Sequence, residues 1–202
     1  MTTSETPHPV RQPVLGDVLG HVPSGSDRQA GEQADLLESL RHHRGLLRRT
    51  LRGLDDDQAR ERTTVSDLTL GGLVKHVADT EKEWAEFIQH GAIEQMELDW
   101  EAIDWSNPTP EAQAFLDGHR MTADESLADL LTAYDEVAAR TDALVAGLDL
   151  DSRQPLPSAP WFAPGETWSA RRVLLHVIAE TAQHAGHADI IRESLDGQKT
   201  MG

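Results

Sequence analysis

The chain contains no cysteine. Disulfides and a protein thiol nucleophile are thereby excluded, and a thiol in any reaction must come from outside. Aromatic residues are scarce, five Trp, three Phe and one Tyr in 202 residues. The interior is therefore expected to be built from Leu and Ala, as in helical bundles. Positive charge is in deficit: 18 Lys and Arg against 35 Asp and Glu give a formal charge of −17. That balance argues against nucleic acid and against an anionic membrane surface. No run of about 18 apolar residues occurs, and the N-terminus lacks a charged start followed by an apolar stretch. A soluble, cytoplasmic protein is expected. Internal repeats, a phosphate-cradling glycine motif and a serine elbow are also missing.

What is present is helical periodicity. Residues 1–30 lack it and are rich in Pro, Gly, Ser and Thr, so they read as a flexible N-terminal arm with His8 and His21 exposed and without function. Residues 31–202 read as one domain. A first helix is predicted from Glu32 to Arg52, with Leu36, Leu37, Leu40, Leu47 and Leu51 at helical spacing. Arg41, Arg44, Arg48, Arg49 and Arg52 read as its solvated face. Asp55 and Gln58 have the spacing of a capping box on a short turn. The second helix, Leu70 to His90, has an inner stripe of Leu73, Val77, Thr80, Trp84 and Phe87, with His76 on the same face. A third follows a Thr122–Glu125 capping box and runs through Leu127, Tyr134, Val137, Thr141 and Leu148. The fourth spans Trp168 to Leu195. Two long connections, Gly91–Met121 and Asp149–Thr167, are long enough to be lids or site walls. The first carries Trp100 and Trp105 and a turn or two of helix at Glu111–Leu116. In the second, Trp161, together with Trp168, either lines a substrate pocket or plugs the bundle end. The fold class is all-α, an antiparallel four-helix bundle with unequal crossovers.

The fourth helix carries the chemistry. At about 100° per residue, His176, Glu180, His184 and His187 lie at roughly 0°, 40°, 80° and 20° around its axis. Val173, Val177 and Ile191 share that side, so the stripe is expected to face inward. Neighbours at i,i+4 and i,i+3 are about 5–6 Å apart at Cβ, so Glu180–His184 and His184–His187 can each chelate. His176 and His184 are roughly 12 Å apart along the axis, too far to share an ion. A metal site needs one such pair plus a ligand from another helix, and His76 is the obvious third. The other reading is that these side chains are buried, hydrogen-bonded and hold helices in register.

The stretches LTLGGLVKHVADTEKEW and HVIAETAQHAGHADIIRESLDG, in that order, resemble the DinB-like metalloenzyme superfamily. The closer resemblance is to its actinobacterial branch of mycothiol-dependent maleylpyruvate isomerase and mycothiol S-transferases. It covers about residues 32–197. It implies a DinB-like four-helix bundle holding a divalent metal through His76, Glu180 and His184, with zinc the ion that two His and one carboxylate suit. The superfamily commonly has His-x-x-x-His in its last helix, whereas this chain has Glu180-Thr-Ala-Gln-His184, the form of the isomerase branch. His187 is implied to support a ligand from outside the set, and His176 to orient Glu180 or fill the core. The implied activity is a metal-dependent thiol S-transferase or thiol-dependent isomerase, with a low-molecular-weight thiol such as mycothiol as co-substrate and an electrophilic small molecule as partner. Arg192 and Asp189 are candidates for binding polar groups of either. A homodimer is allowed, and no nucleic acid or membrane partner is expected. Two other classes stay open: a metal-dependent hydrolase using hydroxide, and a non-catalytic metal- or ligand-binding bundle.

Overall fold

The computed structural model describes residues 25–92, 103–104, 106–157 and 162–200. They form α1 (Gly25–Thr50), α2 (Asp56–Arg60), α3 (Leu70–His90), α4 (Pro110–Asp117), α5 (Leu127–Val145), β1 (Arg153–Pro155), β2 (Thr167–Ser169) and α6 (Ala170–Asp196). Three of the long helices start at a hydroxyl that takes up a backbone N–H the helix cannot satisfy itself. Thr69 accepts from Gly72, Ser126 from Asp129 and Ser169 from Arg172. Asp55 and Gln58 cap α2 reciprocally. Gly197 ends α6 in the left-handed conformation at φ +79°, which suits glycine.

Three boundaries differ from the sequence expectation. The Thr122 N–H does donate to the Glu125 carboxylate at 2.7 Å, but this closes a turn, and α5 begins only after Ser126. Trp168 is strand, not helix, because Arg153–Pro155 pairs antiparallel with Thr167–Ser169. α1 starts well before Glu32, through residues that lack apolar periodicity. Tertiary partners hold it: Gln29 and Gln33 donate to the Leu148 carbonyl, and Glu32 pairs with Arg171. Residues 1–24, Trp100, Trp105 and Trp161 lie outside the described residues.

Side-chain pairings give the helix directions. His76 and Trp84 of α3 meet His184 and His176 of α6, so this pair is antiparallel. Arg44 and Arg48 of α1 reach Asp142 and Asp135 of α5, also antiparallel. α1 and α6 run parallel, since Glu32 pairs with Arg171 near their starts and the Thr50 carbonyl with Arg192 near their ends. By the same pairings α3 and α5 also run parallel, so a long connection and not a tight turn joins them. This is the unequal crossover expected from its length.

The core divides into two apolar clusters. One gathers Leu47, Leu51, Leu70, Leu73, Val77, Tyr134, Ala188 and Ile191; the other gathers Leu40, Phe87, Ile88, Val145, Leu150, Val173 and Val177. Between them, α1, α3 and α6 contribute Arg44, Glu81 and Thr181, buried at 5%, 0% and 0% exposure. Arg44 donates to both Glu81 oxygens, at 2.9 and 2.5 Å, and to Asp142 at 2.8 Å. Arg44 is thus no part of a solvated face. A carboxylate on the inner line Leu73–Val77–Glu81 requires a cation beside it.

Candidate metal centre

At the level of this polar layer, on the α3–α6 seam, His76, Glu180 and His184 converge. All three are half-buried, and one ligand atom from each lies within 4.8 Å of the others. The i,i+4 spacing on α6 brings His184 Nε2 to 3.4 Å from Glu180 Oε2. The antiparallel crossing of α3 sets the His76 ring 4.8 Å from that of His184, at 83°.

Ligation needs neutral imidazoles. Burial, then the neighbouring His119 and His184, push His76 down to about 4. Burial also lowers His184, outweighing the upward pull of Glu180. Both rings are therefore neutral near pH 7 and offer lone pairs. Two ligand atoms about 2.1 Å from a tetrahedral ion stand about 3.4 Å apart, which matches the His184–Glu180 separation of 3.4 Å. Donor chemistry and protonation fit a divalent ion, as does the Glu180–His184 spacing, and His76 lies within 4.8 Å of both, near enough to close on the same ion by a small turn of its ring.

The other candidate residues divide. His187 Nδ1 lies 3.4 Å from His184 Nδ1, the ring nitrogen other than the one facing Glu180. His176 Nε2 is 4.0 Å from Glu180 Oε1, so the two carboxylate oxygens face different histidines. Trp84 and Trp168 stack at 5.1 Å, and the His176 ring stands edge-on to both, at 4.9 and 5.3 Å. The Arg172 guanidinium lies 4.6 Å over the Trp168 ring and Phe162 meets it edge-on. Trp168 thus has Trp84 stacked on it, Arg172 over it and two rings against it. Arg192 is not gathered into this cluster. It is 3% exposed, and its guanidinium donates to the Thr50 and Arg52 carbonyls and to Asp196, closing the C-terminal end of α1. Asp189 accepts from the Thr200 N–H at 2.6 Å.

One neighbour was not legible as a site residue. His119, in the connection between α4 and α5, stacks on His76 with centroids 4.5 Å apart and planes 26° apart. The aperiodic stretch around it gives no signal. The available hint was Gly71-Gly72 in the first turn of α3, a costly pair in a helix unless another segment must come close.

The model of the mycothiol S-transferase family matches residues 35–197. The chain belongs to the mycothiol S-transferase family. Both stretches that carried the resemblance fall within the match, as do all the residues of the candidate centre. No curated protein matches the chain. Among solved structures, a conserved protein from Enterococcus faecalis is similar over 82% of this chain and 98% of its own. Its TM-score is 0.58 and its identity 16%, a likeness that shows the fold alone. Among the described residues no helix is long and apolar enough to cross a membrane.

Proposed function

We propose that this member of the mycothiol S-transferase family is a divalent-metal-dependent transferase. It activates a low-molecular-weight thiol, mycothiol, for attack on an electrophilic small molecule, with His76, Glu180 and His184 holding zinc. The observation that carries the reading is the convergence of these three side chains from two helices on one point. When bound, a divalent ion there supplies Lewis acidity that lowers the pKa of a thiol presented to it. The chain's own residues prepare the site. His76 and His184 are kept unprotonated by burial. Glu180 brings one negative charge, so two neutral imidazoles and a carboxylate leave a divalent ion net positive toward the substrate. His187 Nδ1 stands 3.4 Å from His184 Nδ1, where a hydrogen bond between the two would set the tautomer of the His184 ring. His176, wedged against Trp84 and Trp168, stands 4.0 Å from the second Glu180 oxygen, within reach to orient it by a small ring shift. The chain has no cysteine, so the nucleophilic sulfur belongs to the co-substrate.

Turnover of a chlorodinitrobenzene electrophile, followed with and without mycothiol, tests the reading. Chloride release and thioether formation are expected only with thiol and with metal restored, and both are abolished in His184→Ala. Equal turnover without thiol would favour hydrolysis, and unchanged turnover in His184→Ala would exclude this centre as the catalyst.

A further inference from the structure

The segment leading from α4 to α5 rests directly on the first turn of α3, and two glycines permit it. A Cβ on Gly72 would stand 2.3 Å from the His119 carbonyl oxygen, and one on Gly71 would stand 2.6 Å from the Met121 sulfur. Backbone against Cβ at the first distance cannot be relieved by a rotamer change. Glycine within a helix costs about 1 kcal/mol relative to alanine, so the pair answers a need for close approach. The segment is fastened beyond His119 as well. Met121 is buried in the core, Lys75 donates to the Arg120 carbonyl, and Arg60 donates to the carbonyls of Thr122 and Glu125.

The result is a ring laid on a ring. His119 covers one face of the His76 imidazole at 4.5 Å, and the His184 ring meets it at 83° and 4.8 Å. The imidazole of His76 turns about two side-chain bonds, and these contacts restrict both. We propose that His119 is a positioning residue for His76. Carried onto α3 by Gly71 and Gly72, its ring fixes the plane in which His76 presents a nitrogen toward Glu180 and His184. The inference rests on the metal reading above and deepens it. His119 acts through the face of its ring, on His76, and not by donating a lone pair to the ion.

Titration of the metal-free protein with Co²⁺, followed by the visible d–d band, reads both affinity and ligand geometry. His119→Ala is expected to weaken Co²⁺ binding by about 10–100-fold and to alter the band, with helical circular dichroism unchanged. His119→Phe keeps a flat ring without ring nitrogens and is expected to return affinity to within about threefold of the wild type. Gly72→Ala displaces the segment and should repeat the His119→Ala loss with every histidine still in place. Should Gly72→Ala lose its helicity, the contrast between Ala and Phe at position 119 decides alone. Wild-type affinity and band in His119→Ala would overturn the positioning role and leave the metal reading standing. A loss that Phe does not restore would also overturn it, by showing that His119 acts through its nitrogens. If the wild type and His76→Ala bind Co²⁺ alike, the metal reading fails and this inference falls with it.

Discussion

Replacing Arg44 by Met leaves the Glu81 carboxylate at 0% exposure with both oxygens stripped of their Arg44 donors. Breaking a buried ion pair from one side costs about 3–5 kcal/mol, because the remaining charge is neither solvated nor paired. For a protein of this length each kcal/mol lowers Tm by about 2–4 °C, so a fall of roughly 6–20 °C is expected. Asp142 keeps its contact with Arg41 and adds little to the loss. The double variant Arg44→Met/Glu81→Leu removes both charges and fills the gap with apolar volume. It should recover most of the stability, since buried pairs are often no better than a packed apolar replacement. Urea and thermal unfolding by far-ultraviolet circular dichroism, on metal-free protein, measure all three chains. A loss under about 1 kcal/mol in Arg44→Met, the value of an exposed pair, would refute the buried-layer argument.

Metal-free stability should depend on His76. Its folded pKa of about 4 lies below the ordinary histidine value of 6.5, so between them the unfolded chain binds more protons. Stability is therefore unaffected by His76 above about pH 6.5 and falls as pH drops toward about 4. Urea midpoints should fall less over this window in His76→Phe than in the wild type, and identical pH profiles would contradict the assignment. Arg192→Met should cost about 1–3 kcal/mol by stripping donors from the buried Thr50 carbonyl and the part-buried Arg52 carbonyl. Metal affinity should be unchanged in that variant; a coupled loss would tie Arg192 to the centre.

The parts of this molecule legible in the sequence are those set by local chemistry. α3 ran from the Thr69 cap to Gly91 as the leucine stripe and the cap signals indicated. Glu180 and His184 met because four residues is one helical turn, and His76 lay on the inward face that crosses them. The rest depends on partners distant in the chain. Trp168 is strand only because Gln154 pairs with it. The early turns of α1 are held by Leu148 and Arg171. Arg44 looked like one of five surface arginines, and only the inward register of Glu81 could have singled it out. His119 reaches His76 through a chain segment without periodicity, so only the glycines it rests on hint at the contact.

The central claim is that three side chains from two helices bind one ion, and calorimetric titration of metal-stripped protein with Zn²⁺ tests it most directly. One ion per chain is expected for the wild type. His76→Ala, Glu180→Gln and His184→Ala should each weaken binding sharply while far-ultraviolet circular dichroism stays unchanged, because apolar packing holds the bundle. Wild-type zinc affinity in His76→Ala would contradict the account, since that ligand alone ties α3 to the α6 pair.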